Sequence, residues 1–404
     1  VRPESGVLGE RLASAAMAGA LVERLTRNCT HVLPEGELER KLAGGRPLRV
    51  KLGIDVTSPD LHIGHAIPLQ RMRAFQDAGH LGVLIVGDYT TRIGDPSGRS
   101  AERPVLSGEE IDANAKRYFE QAALVIETDP SKLEVRFNGE WLSQLDFAEV
   151  LRLTRTTTVA RLLERDDFAK RYAAQAPISV SELLYPLMQA YDSVAVRADV
   201  ELGGTDQLYN LLTGRDVMEV YGLEPQVTMT TPLLLGSDGE KMSKSRGNTI
   251  GLTDPPDEQF GRTMRISDEL LPDYYRLVME ADPSEIGDEP MDAKLRLARW
   301  IVSRSHGSEA ADAAEVHFTR VVRRHEAPED MPEVEVGPAS VHLPELLKEQ
   351  FGESTSHWRR VIGQGGVKVN GEPVTGLDLD PDGLDGAVVQ AGRRQFARLR
   401  ARGR

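Results

Sequence analysis

Residues 48–65 read Leu-Arg-Val-Lys-Leu-Gly-Ile-Asp-Val-Thr-Ser-Pro-Asp-Leu-His-Ile-Gly-His, and the change of period within that stretch decides the fold. Leu48–Asp55 is an apolar run of strand length. From His62 onward Leu69, Met72 and Phe75 recur on one helical face. Gly79 ends that helix, and Leu81–Val86 is a second buried apolar run. Strand, helix and strand in this order form the repeating unit of a parallel, doubly wound α/β sheet.

The same reading extends outward. Helical patterns occupy about 108–127, 145–173 and 181–191, and Asp199–Leu202 reads as a strand. A helix from about Asp206 to Tyr221 and a strand Val227–Leu235 follow, then a loop at 236–249 rich in Gly, Ser and Lys. From 256 to 325 the pattern is mostly helical and amphipathic, with Trp300 and Ile301 among its apolar positions. Ala327–Ser340, carrying Pro328, Pro332 and Pro338 between acidic residues, reads as an extended linker, and 341–404 as a compact final module.

Composition narrows the class. A chain of 404 residues has room for two or three cores, and 40% hydrophobic with 28% charged residues is globular in character. No run reaches the roughly 18 apolar residues of a membrane span, so no membrane partner is expected. Charges at Arg2, Glu4, Glu10, Arg11, Glu23 and Arg24 interrupt the first 30 residues, unlike a secretory signal. The single cysteine, Cys29, cannot form an internal disulfide, which suits a reducing cytoplasm. Net charge is −14, yet residues 354–404 carry a net +4, with Arg393, Arg394, Arg398, Arg400, Arg402 and Arg404 at the end. Polyanions bind such local patches whatever the average field; a frayed, solvated tail has the same composition.

Two motifs carry chemistry. His62-Ile63-Gly64-His65 sits between a strand and a helix, where unpaired backbone N–H groups and a partial positive charge favour phosphate. Lys241-Met242-Ser243-Lys244-Ser245 sits in the loop after a strand and suits a lid over a triphosphate. Either could be structural alone, two packed histidines or a solvated basic loop. Both together, in this order and about 180 residues apart, point to nucleotide chemistry.

These are similar to the two hallmark sequences of the class I aminoacyl-tRNA synthetases, and the chain resembles most the bacterial tyrosyl-tRNA synthetases that end in an S4 domain. The likeness includes Gly53-Ile54-Asp55-Val56-Thr57, Gly94-Asp95-Pro96-Ser97-Gly98, the block from Tyr185 to Asp192, and Gly203-Gly204-Thr205-Asp206-Gln207. It implies a Rossmann-like catalytic domain at 46–249 with an inserted helical segment, preceded by a helical extension at 1–45. An α-helical domain at 250–326, a linker at 327–340 and a small α+β S4-like domain at 341–404 would follow.

The resemblance implies roles as well. ATP, as its Mg²⁺ complex, would be a substrate, with no tightly bound cofactor and no protein metal site. Thr57, His62, Lys241 and Lys244 would stabilise the triphosphate, while His65, Gly64, Gly204 and Asp206 would hold ribose and adenine, beside Gly53. Asp95, Tyr185 and Gln189 would bind the α-ammonium group of L-tyrosine, with Asp55 and Gln207 near the reacting carboxylate. Asp192 would accept the phenolic hydrogen bond. Ser354 to Gly371, containing Arg359, Arg360 and Lys368, resembles an S4 RNA-binding segment that would contact tRNA(Tyr). A homodimer is expected. Departures are Lys51, where many tyrosyl enzymes carry Tyr, Glu201 where Gln is usual, and Val56 for Pro; Pro68 lies early in the helix after the His motif. Lys51 leaves open a paralogue that activates a tyrosine analogue. The tryptophanyl enzymes share fold and motifs, and a decayed synthetase kept as an RNA binder is the reading from another class.

Overall fold

The computed structural model describes residues 17–57, 60–95, 106–242, 246–323, 331–337, 340–381, 383–392 and 395–401. The chain divides into two compact units, Val1–Asp254 with Arg265–Leu297 and Pro255–Met264 with Ala298–Arg404.

The first unit holds a six-stranded sheet of order β1-β6-β5-β2-β3-β4, made of β1 His31–Leu33, β2 Arg49–Ile54, β3 Leu81–Val86, β4 Leu133–Phe137, β5 Val200–Gly204 and β6 Val227–Thr231. β6, β5, β2, β3 and β4 run parallel, and β1 closes one edge antiparallel to β6. Val50, Leu52, Val83, Leu84, Ile85, Val200 and Leu202 are buried, as strands covered on both faces require. Helix Ile63–Asp77 packs on this sheet through Leu69, Met72 and Phe75, all fully buried. Each contributes about 1.5–3 kcal/mol from burial, before conformational entropy is charged against it. From β2 the chain winds outward through β3 and β4, then returns to the other side of β2 for β5 and β6. The topological switch therefore lies between β2 and β5, where open α/β sheets bind ligands beyond the strands' carboxyl ends.

Several elements differ from the sequence pattern. β1 lies inside the stretch read as helical; three residues ending at Pro34 are too few to declare a period. β4, Leu-Glu-Val-Arg-Phe, alternates as a strand should but had gone unassigned. The stretch 145–173 is three helices, Phe147–Thr154, Val159–Leu162 and Asp166–Ala173. Thr158 breaks it, because its side chain accepts the Arg161 N–H and starts a new helix. β6 stops at Thr231 because Pro232 has no N–H for the ladder. Pro68 lies beyond the first turn of its helix, so the bond it would have donated to the Gly64 carbonyl is missing at the rim of the site.

In the second unit, helices Pro256–Thr263 and Ser308–Phe318 pack together, with the Phe260 and Phe318 ring centroids 5.4 Å apart. A five-stranded sheet has the order β10-β9-β12-β13-β7, formed by β7 Glu333–Val336, β9 Val367–Val369, β10 Glu372–Pro373, β12 Val388–Ala391 and β13 Gln395–Ala401. β8 Val341–His342 pairs separately with β11 Asp378–Leu379. Asn370 and Gly371 take positive φ (50° and 86°), the two-residue turn that joins twisted hairpin strands. Trp358, Ile362, Leu343, Leu347, Val367, Val389 and Leu399 form the core. β7 lies inside the stretch read as a linker. β13 makes 395–401 an ordered strand, paired with both β12 and β7, rather than a frayed tail. Arg393, Arg394, Arg402 and Arg404 lie outside the described residues. No helix among the described residues is long and apolar enough to cross a membrane.

Candidate active site

A cavity of about 360 Å³ opens at the switch point. Gly53 and Asp55 reach it from β2, His62, Gly64 and His65 from the following helix start, and Gly204, Asp206 and Gln207 from the end of β5. Asp95, Tyr185, Gln189, Asp192 and Lys241 complete the group that the sequence singled out. Thr57 is exposed and does not line the cavity, and Lys244 lies outside the described residues.

At one end the histidines cap a helix. His62 Nδ1 accepts the Gly64 N–H at 3.2 Å, and His65 Nδ1 accepts the His62 N–H at 3.3 Å. With both Nδ1 atoms accepting, the neutral rings carry their proton on Nε2 and become donors, suited to phosphate or ribose oxygens. The rings lie against one another, centroids 3.9 Å apart and planes tilted by 43°. A Cβ on Gly64 would sit 3.0 Å from His62 Cε1 and Nδ1, tight enough that the ring would have to shift. Lys241 Nζ lies 2.8 Å from Asp206 Oδ2. A nucleotide that brings hydroxyls to Asp206 and phosphates to Lys241 can replace this ion pair on both sides at once.

The middle of the cavity is a carboxylate network. Asp95 accepts from Gln207 Nε2 at 2.7 Å and pairs with the buried Arg165 at 3.1 Å. Arg165 also donates to Asn210 Oδ1, and Asn210 Nδ2 donates to the side-chain oxygens of Gln189 and Gln207, each at 3.0 Å. Asp95, Gln189 and Gln207 thus share one hydrogen-bonded frame. Asp55 accepts from Thr90 Oγ1 at 2.7 Å and Tyr185 OH at 2.9 Å. Burial, with the Asp55 and Asp95 carboxylates nearby, raises the Tyr185 phenol well above its ordinary value and keeps it a donor. Gly87 lies against this pair; a Cβ there would come within 2.5 Å of Thr90 Oγ1 and closer still to Asp55.

Asp192 also lines the cavity. It is 3% exposed, accepts from Trp141 Nε1 at 2.8 Å and from Asn138 Nδ2 at 3.4 Å. Burial pushes its carboxyl up to about 7, against the pull of the Lys51 ammonium and of those two donors. Lys51 is fully buried and does not line the cavity. Its Nζ lies 2.8 Å from Glu201 Oε1, 2.8 Å from Ser193 Oγ and 2.9 Å from the Gln189 carbonyl. Lys51 and Glu201 are direct cross-strand partners in β2 and β5. The two departures from the usual sequence therefore neutralise one another inside the fold.

A family model described as tRNA synthetases class I (W and Y) matches residues 43–323. A tyrosine–tRNA ligase of Moorella thermoacetica is 49% identical over 391 residues, covering 93% of this chain and 94% of the relative. That of Thermotoga maritima is 47% identical, covering 94% and 96%. The chain belongs to the tyrosine–tRNA ligase family. The fold agrees: the crystal structure of an Archaeoglobus fulgidus tyrosyl-tRNA synthetase complexed with L-tyrosine superposes with a TM-score of 0.61 at 23% identity, over 74% of this chain and 99% of that one.

Within this member of the tyrosine–tRNA ligase family, sequence reading missed Thr90, Asn138, Trp141, Arg165 and Asn210. Asn138 and Trp141 follow β4, so recognising that strand would have placed both at a carboxyl end facing the site. Arg165 and Asn210 carry no local signal; only the fold brings them to Asp95. Arg359, Arg360 and Lys368 are exposed in the second unit, on helix Thr355–Gly363 and strand β9. Trp358 and Ile362 anchor that helix to its core.

Proposed function

We propose that this chain activates L-tyrosine with ATP and transfers it to tRNA(Tyr). A tyrosine carboxylate oxygen attacks the α-phosphorus of ATP, pyrophosphate leaves, and tyrosyl-adenylate remains; a hydroxyl of the tRNA terminal ribose then takes the acyl group and AMP leaves. No covalent enzyme intermediate is needed, so the site works by positioning and charge stabilisation. ATP enters as its Mg²⁺ complex. Lys241 and Lys244 neutralise charge on the triphosphate and His62 donates a hydrogen bond to it; His65, Gly64, Gly204 and Asp206 hold the nucleoside beside Gly53. Asp95, Tyr185 and Gln189 receive the ammonium group, while Asp55 and Gln207 border the carboxylate.

The observation that carries the reading is Asp192, a buried acceptor in the cavity lining, fixed by Trp141 and Asn138. Tyrosine supplies a further hydroxyl donor to this carboxylate, which phenylalanine lacks, so the site favours tyrosine. Lys51 is buried, ion-paired with Glu201 and outside the cavity lining, so it makes no direct contact with a substrate there, which supports tyrosine over an analogue.

Arg359, Arg360 and Lys368 contact tRNA phosphates in this reading. A homodimer is supported by the exposed apolar side chains gathered in 147–180, with Phe147 76%, Tyr172 67% and Val180 72% exposed. The cytoplasm, which holds tRNA and ATP, is the assigned compartment. Tyrosine-dependent exchange between pyrophosphate and ATP tests the proposal, with phenylalanine and tryptophan as competitors. Exchange with tryptophan instead would move the chain to the other branch of its family model, and ATP binding without exchange would leave an RNA binder.

A further inference from the structure

We propose that Asn210 is a positioning residue: it sets the direction of the Gln189 and Gln207 side-chain amides, and through them the grip on the ammonium and carboxylate groups of tyrosine. The inference rests on the proposed function above. Asn210 belongs to helix Leu208–Val220, is 1% exposed and is not part of the cavity lining. Gln189 and Gln207 are half-buried and both line the cavity. Asn210 Nδ2 directs its two hydrogens to their side-chain oxygens, each at 3.0 Å.

An amide has a donor end and an acceptor end, and its direction is fixed by neighbours that can play only one part. Arg165, buried and a donor only, gives a guanidinium N–H to Asn210 Oδ1 at 3.0 Å, which turns the Asn210 nitrogen toward the glutamines. Asn210 then holds both glutamine oxygens, so their nitrogens point elsewhere. Gln207 Nε2 meets Asp95 Oδ2 at 2.7 Å, and Gln189 Nε2 meets Glu201 Oε1 at 3.3 Å. Both carboxylates are ion-paired, Asp95 with Arg165 and Glu201 with Lys51, and an ionised carboxylate only accepts. The donor at the centre and the acceptors at the two ends therefore impose the same direction on all three amides. The Gln189 oxygen has a second lone pair, which the proposed function gives to the ammonium group. Turned around, the same amide would offer N–H groups there, which cannot accept from an ammonium. A reversed Gln207 would set its oxygen against the Asp95 carboxylate.

Asn210→Asp tests this. It keeps the shape of the side chain and the bond from Arg165 but has no donor for the two glutamines. Its added negative charge would by itself draw an ammonium group in, so a fall in tyrosine affinity runs against that charge. Asn210→Ser leaves at most one donor and adds no charge. For both variants, tyrosine and ATP binding are measured by calorimetry, 4-ethylphenol binding by ligand-observed NMR titration, and folding by thermal melting. Tyrosine affinity should fall about ten- to a hundredfold, as for one lost hydrogen bond to a charged group. Affinities for ATP and for 4-ethylphenol, which has the phenol but neither ammonium nor carboxylate, should stay within about twofold of wild type. Tyrosine binding within about twofold of wild type, or tighter, in either folded variant overturns the inference. So does an equal loss for all three ligands, or failure of both variants to fold, since either marks a structural role. If the wild-type chain itself shows no tyrosine-dependent exchange, the proposed function fails instead, and the two failures are distinguishable.

Discussion

Lys51 and Glu201 meet across β2 and β5 at 2.8 Å, both essentially without solvent exposure. Removing one partner strands the other, so Lys51→Met should lower stability by about 3–5 kcal/mol in denaturant unfolding. Lys51→Met combined with Glu201→Gln should recover most of that loss, and no recovery would mean the pair is not the unit described. Asp192 gives a pH prediction. Tyrosine binds the ionised carboxyl, so its KM should rise as pH falls through about 7, while Asp192→Asn should lose both that inflection and the preference over phenylalanine. The raised value also means the ligand-free fold holds a proton, between the ordinary carboxylate range and about 7, that the unfolded chain releases. This group therefore weakens the ligand-free protein as pH rises through that window, and Asp192→Asn should be neutral or stabilising by thermal melting. At this scale the sequence showed the motif residues but not their partners: Lys51 could be seen as odd, whereas its pairing needs the register of two strands 150 residues apart.

The His62 helix start is the element on which nucleotide handling depends. Gly64→Ala would press on the His62 ring from 3.0 Å and re-aim its Nε2. The expected result is a fall of about 10²-fold in kcat for activation, with tyrosine affinity and melting temperature near wild type. Strong elements were legible because their periods ran long enough: β2, β3 and the helix between them follow from residues 48–86 alone. β1 was not, being three residues long, and β4 was not, because at the sheet edge its apolar residues are interrupted by Glu134 and Arg136. The break-up of 145–173 was missed because Thr158 acts by capping, a single hydrogen bond that does not disturb apolar spacing.

For the whole molecule, the sheet order places the switch point, and the switch point places the site; the strand–helix–strand reading anticipates the parallel sheet but not the strand order that puts the cavity there. Quaternary structure and RNA contact rest on surfaces. Sedimentation at micromolar concentration should give a dimer mass, and Phe147→Asp with Val180→Asp should give a monomer; a wild-type monomer would remove the role assigned to the exposed apolar residues. Replacing Arg359, Arg360 and Lys368 by Ala should raise the KM for tRNA(Tyr) and flatten its salt dependence, while leaving tRNA-free exchange unchanged. The most direct test of the central claim is pyrophosphate–ATP exchange by the full chain with each of the twenty amino acids, Mg²⁺ present and tRNA absent. Exchange with tyrosine alone is the predicted result. Exchange driven by a different amino acid, or by none, would contradict it.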